Sequence, residues 1–204
     1  TPSTGTTPGN DIKYNLNSGS GNWFAVAVVG KLYIYTTANP PVQVAASMTS
    51  VPAFFTARGA VCPSVNDDFI IYSAGTTLYL NTITGGPSPP TFGTNTPSTI
   101  AHGGICLSLT QDSYWGAFLA AGCSTSPFLK IYDPYGQFIS QWTTYTLSAN
   151  PPGHVVDSCF TYESDPLLAC AHAGSPYVTF YRRSGTSFNK LSDPAVLPDG
   201  AATS

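Results

Sequence analysis

One β-hairpin recurs four times along this chain, and that repetition constrains the fold more than any other feature. Phe24-Ala25-Val26-Ala27-Val28-Val29 passes through Gly30 into Leu32-Tyr33-Ile34-Tyr35. Phe69-Ile70-Ile71-Tyr72 turns at Gly75 into Leu78-Tyr79-Leu80-Asn81. Ala117-Phe118-Leu119-Ala120 turns through Ser124 to Pro127 into Phe128-Leu129-Lys130-Ile131-Tyr132, and Leu167-Leu168-Ala169-Cys170 turns at Gly174 into Tyr177-Val178-Thr179-Phe180-Tyr181. Short β-branched or aromatic runs bounded by Gly, Pro, Asn and Ser are strands and turns, and two such runs across a tight turn make a hairpin. The final residues, Tyr35, Asn81, Tyr132 and Tyr181, are spaced by 46, 51 and 49 positions.

A further strand is expected before each hairpin, at Ile12–Leu16, Ala60–Val65, Gly104–Leu109 and Asp157–Tyr162, and Cys62, Cys106 and Cys159 fall at matching places in three of them. A fourth strand is expected after the hairpin at Val42–Ala46, Ile139–Tyr145 and Phe188–Leu191. In the second unit Pro87, Pro89 and Pro90 argue against one, because proline cannot donate to a ladder. Four antiparallel strands repeated every 46 to 51 residues predict an all-β protein, a β-propeller of about four blades. A lone four-stranded sheet cannot cover both faces, whereas blades packed around an axis cover each other. The blades fall at about 12–52, 53–98, 99–152 and 153–204, after a Thr/Pro/Gly-rich arm or linker over 1–11. They form either a small closed ring or part of a larger wheel. The alternative is a β-sandwich, which does not require four matching units.

Charged residues make up 8% of the 204-residue chain, against roughly 25% in an average soluble domain. A surface so poor in charge does little to keep molecules apart, which points to assembly. Seven basic residues against ten acidic ones leave no electrostatic footprint for nucleic acid. No apolar run reaches the ~18 residues that span a membrane, and there is no Asn-x-Ser/Thr acceptor for glycosylation.

The fourth unit carries a resemblance. Leu168-Ala169-Cys170-Ala171-His172 continues through Ser175-Pro176-Tyr177-Val178-Thr179-Phe180-Tyr181-Arg182-Arg183-Ser184-Gly185 to Phe188-Asn189-Lys190-Leu191 and Pro194-Ala195-Val196-Leu197-Pro198. This is similar to the WD40-like repeats found in tandem in tailed-bacteriophage virion proteins, and Ser126-Pro127-Phe128-Leu129-Lys130-Ile131-Tyr132 is a degraded copy. Glu163-Ser164-Asp165-Pro166 stands where that family has a Phe-Ser-Pro-Asp-Gly turn. The resemblance implies a propeller on a phage tail or decorating a capsid, with other virion proteins or further copies of itself as partners. It transfers no catalytic residues.

The residues that carry chemistry are few. No nucleophile elbow, phosphate loop or dinucleotide fingerprint occurs, so the expectation is a non-enzyme without a cofactor. The five cysteines, Cys62, Cys106, Cys123, Cys159 and Cys170, include no Cys-x-x-Cys and are read mainly as small buried apolar groups. His102 and His154 precede inner strands, while His172 ends a second strand whose counterpart is Cys123. On a propeller these four share one rim. They are weak candidates for a metal site, the alternative being that each histidine ties its own loop. Tyr114, Trp115, Trp142 and Tyr145 sit in turns or a polar outer strand, where amphipathic rings bind proteins or glycans. Their alternative role is packing between blades.

Overall fold

The computed structural model describes residues 9–15, 23–28, 31–36, 40–46, 55–58, 68–74, 76–84, 91–92, 98–111, 118–133 and 143–201. Every regular element among them is a strand. The first meander is β1 (Gly9–Asn15), β2 (Trp23–Val28), β3 (Lys31–Thr36) and β4 (Gln43–Ala46), hydrogen-bonded in chain order. The second is β5 (Phe55–Arg58), β6 (Asp68–Ala74), β7 (Thr77–Thr84) and β8 (Thr91–Phe92), and β9 (Ser98–Ala101) also pairs with β7. The third is β10 (Cys106–Gln111), β11 (Leu119–Cys123), β12 (Leu129–Asp133) and β13 (Thr143–Leu147). The fourth is β14 (Val155–Phe160), β15 (Leu167–His172), β16 (Val178–Ser184) and β17 (Ser187–Lys190). Meanders in series are the blade pattern, not the crossed connections of a sandwich.

The chain divides into two compact units. One comprises Thr1–Ala74 with Tyr79–Pro97, and the other Gly75–Leu78 with Ser98–Ser204. In the second unit the outermost strands of blades three and four, β13 and β17, pair in parallel, with Thr146 opposite Ser187 and Leu147 opposite Phe188. The backbone N–H of Ser148 donates to the Phe188 carbonyl at 3.0 Å. Two sheets thereby become one of eight strands, in the order β10-β11-β12-β13-β17-β16-β15-β14. Each outer edge satisfies the other's unpaired backbone groups, which otherwise invite association.

The core of this unit fills the space between the two blades. Phe118, Ile131, Val155, Leu168, Tyr181 and Phe188 are all at most 2% exposed. Phe118 and Phe188 meet edge-on at 5.5 Å, a geometry aromatic pairs favour. The strand patterns explain why. On β15 and β16 every second residue is buried, so Leu168, Cys170, Thr179 and Tyr181 face inward. All five residues of β11, Leu119-Ala120-Ala121-Gly122-Cys123, are buried. They are small because β14 crosses closely: a Cβ on Gly122 would run into the Val155 carbonyl oxygen and the Ser108 hydroxyl.

Three inner hairpins share a β-bulge at one place. The register shifts between Gly9 and Asp11, between Cys106 and Ser108, and between Val155 and Asp157. Cys106 faces Cys123 just as Val155 faces His172. This corrects the cysteine alignment: Cys159 does not occupy the place of Cys106, and it is exposed while Cys106 is buried. Register follows the hairpin and its bulge, and a slip of one residue turns every side chain to the other face.

Other boundaries shift too. The inner strands of blades three and four run Cys106–Gln111 and Val155–Phe160. In blade two the strand paired with β6 is Phe55–Arg58, and the expected strand with Cys62 lies outside the described residues. The first strand already begins at Gly9, inside the expected arm, because Gly9 pairs with Val28. Of the fourth strand of blade two, the described residues show Thr91–Phe92, after the proline cluster.

Candidate functional site

The loop entering β10 is anchored to the β11–β12 turn from both sides. The Ser124 N–H donates to the Ile105 carbonyl at 2.9 Å, and the Ile105 N–H donates to the Ser124 hydroxyl at 3.1 Å. Gly103 takes φ 87°, a conformation that side chains disfavour. This geometry drives the His102 ring into the blade, where it is 1% exposed. Its Nδ1 lies 3.2 Å from the Tyr132 hydroxyl and its Nε2 3.0 Å from Cys123 Sγ. The Lys130 ammonium donates to the His102 carbonyl.

Electrostatics hold these groups uncharged. Burial, with Lys130 nearby, lowers the His102 pKa to about 4, against an opposing contribution from the Gly122 backbone. Burial raises Cys123 to about 12 despite the Lys130 charge, and it also raises Tyr132. A nucleophilic Cys–His pair needs a thiolate and access. This pair has neither, so it acts as a tie between loop and strand.

Blade four repeats the tie with other residues. By register, Tyr181 takes the place of Tyr132 and Thr179 that of Lys130. The Tyr181 hydroxyl donates to the Ala149 carbonyl at 3.1 Å, again holding the loop that enters the inner strand. His172, fully buried, has its Nε2 2.8 Å from the Thr179 hydroxyl. Burial is the main cause lowering its pKa. His154 is exposed, and its backbone carbonyl accepts from the Ala173 N–H at 3.2 Å. Of the four rim candidates, the structure brings His102 and Cys123 together. Among the described residues no three His, Cys, Asp or Glu side chains converge as metal ligands.

The aromatic candidates divide differently. Tyr114, Trp115 and Trp142 lie outside the described residues. Tyr145 is half-buried in the seam between blades three and four, edge-on to Phe118 at 5.4 Å and to Phe188 at 5.6 Å. Burial, aided by the Asp133 charge, raises its pKa.

A cleft that sequence reasoning missed lies beside the histidine tie. It holds about 320 Å³, and its lining includes Leu129, Lys130 and Tyr132 of β12, Thr144, Tyr145 and Leu147 of β13, and Asn150. Tyr132 lies opposite Thr144, and Ile131 opposite Tyr145. Both faces of the two strands contribute, with Leu129, Tyr145 and Leu147 on the seam side and Lys130, Tyr132 and Thr144 on the other. The one signal in the sequence was Lys130, a cation within the apolar run from Phe128 to Tyr132.

No family model matches the chain, and no curated protein matches it. Solved structures do. Two crystal structures of BBS1N in complex with ARL6DN, one soaked with lead and one with mercury, each superpose with a TM-score of 0.61 at 13% identity. Each match covers 95% of this chain and 54% of the other, so the chain spans about half the length of those structures. BBS1N is a β-propeller. Four serial meanders and this likeness together establish that the chain has the β-propeller fold.

Proposed function

We propose that this chain is a non-catalytic binding and structural component of a phage-like particle, acting through propeller surfaces on other virion proteins or on further copies of itself. The observation that carries the binding role is where the apolar surface lies. Ile105, Tyr162 and Val196 are 57%, 72% and 84% exposed, on loops or beyond the last strand and not in the seam. A surface so poor in charge, carrying an amphipathic ring and apolar groups, fits protein contact. BBS1N, the similar propeller, is crystallised with a protein, ARL6DN. The resemblance of the fourth unit to tailed-phage repeats supports a virion setting.

A glycan-binding role has less support. Of its four aromatic candidates only Tyr145 is described, and that ring is engaged with Phe118 and Phe188. Electron microscopy of the chain in its native assembly tests the proposal. A propeller repeated on a symmetric particle is the expected result, and a free monomer that binds only sugars would overturn it.

A further inference from the structure

The cleft beside β12 and β13 has a floor and a rim of different chemistry. Its floor is apolar: Leu129 is 1% exposed and the Tyr132 ring is likewise buried, with Leu147 half-buried beside them. Its rim carries Thr144 and Asn150, both exposed. Lys130 is the single charged residue lining it. The ammonium is held in place by donating one hydrogen to the His102 carbonyl, and a lysine ammonium has three to give. No carboxylate among those lining the cleft answers this charge. Asn150 and Thr144 add neutral donors to the lining.

A cation at one end of a small apolar depression selects for an anion on an apolar stem. Charge-assisted hydrogen bonds to carboxylates are about twice as strong as neutral ones, and the low-polarity floor strengthens them further. The volume is at the lower end of the roughly 300–1,000 Å³ usual for ligand pockets, which suits one side chain and its neighbour.

We infer that this cleft is an anchor site for a carboxylate borne on an apolar segment, namely an aspartate or glutamate side chain flanked by a branched apolar residue of a partner protein. The inference rests on the protein-binding reading above and deepens it. Lys130 pairs with the carboxylate, Asn150 and Thr144 donate to its second oxygen, and the apolar neighbour rests on Leu129, Tyr132 and Leu147. The histidine tie then has a positioning role: it fixes the loop whose carbonyl holds Lys130.

The test uses the full chain and two small probes, 4-methylpentanoate and its uncharged isostere 4-methylpentanamide, titrated while amide chemical shifts are followed by NMR. Weak millimolar binding is the scale for so few atoms. The expected result is saturable shifts confined to β12, β13 and Asn150 with the acid, and at least about tenfold weaker binding of the amide. Lys130→Gln removes the preference for the acid. Thr144→Trp, an exposed rim change that leaves Lys130 in place, blocks both probes while the remaining spectrum stays native. Equal binding of acid and amide, or no shifts with either, would overturn the inference. Neither result touches the electron-microscopy test of the particle role, so the two readings fail separately.

Discussion

The Nε2 of His102 lies 3.0 Å from the Sγ of Cys123, and the structure keeps both groups neutral. In a neutral ring one nitrogen donates and the other accepts, so Tyr132, His102 and Cys123 form one directed chain of hydrogen bonds. A thiol in such a place is a structural part and not a reagent.

Thiol labelling should therefore be graded by burial. Cys159 is exposed, whereas Cys106, Cys123 and Cys170 are buried. Burial also raises the pKa of Cys123 and of Cys170. A maleimide added to the folded chain should modify Cys159 within minutes and leave the other three unlabelled until denaturant is added. Peptide mapping by mass spectrometry reads each site, and rapid modification of Cys123 in the folded chain would refute the buried tie.

Stability should fall with acid. The pKa of His102 is lowered from 6.5 to about 4. Between those values the unfolded chain takes up a proton that the native chain refuses. The stabilisation from keeping the ring neutral is thus complete above pH 6.5 and is lost as pH falls toward about 4. A loss of about 3 kcal/mol is expected across that window. Burial of His172 acts in the same direction. Urea denaturation at a series of pH values measures the slope, and His102→Gln should flatten it while lowering stability at neutral pH.

Gly122→Ala should destabilise the fold by about 1–3 kcal/mol, the usual cost of forcing an extra carbon into a packed site. The new methyl would run into the Val155 backbone carbonyl as well as the Ser108 hydroxyl, so the backbone itself must shift. Gly200→Ala, where nothing lies within 4 Å, is the control and should leave the denaturation midpoint unchanged.

Phe188→Ala should cost about 3–5 kcal/mol. Its ring is fully buried and meets Phe118, Tyr145 and Phe160 at 5.5, 5.6 and 6.4 Å. Tyr145→Ala should also destabilise, since that ring packs in the same seam. A Tyr145→Ala variant with native stability in thermal melts would place the ring outside the core.

Much of the architecture was legible because hairpins are local. Leu168 to Tyr181 sets two short apolar or aromatic runs on either side of one tight turn, and that alone marks strand, turn and strand. The inner strands were harder. They are short, and their register depends on a bulge between Val155 and Asp157 that has no composition of its own. Aligning by cysteine misled for that reason. The candidate site was legible only in part. His102 and Cys123 stood out as residue types, but 21 positions separate them. Their meeting depends on the loop held by Ser124. The cleft was invisible because its lining comes from both faces of β12 and β13 and from the loops beside them, which only the folded register brings together.

The parallel pairing of β13 with β17 also bears on the order in which the molecule assembles. Lys190 and Ser148, which hydrogen-bond across this junction, are 42 residues apart, and the whole of blade four lies between them. Closing so long a loop loses entropy that only a finished blade can offset. The hairpins of blade four are therefore expected to form before this junction, which then closes as a latch. Interactions formed after the transition state set how quickly a protein comes apart rather than how quickly it folds. Contacts across this junction are thus expected to bear more on how quickly the two blades come apart than on how quickly they form.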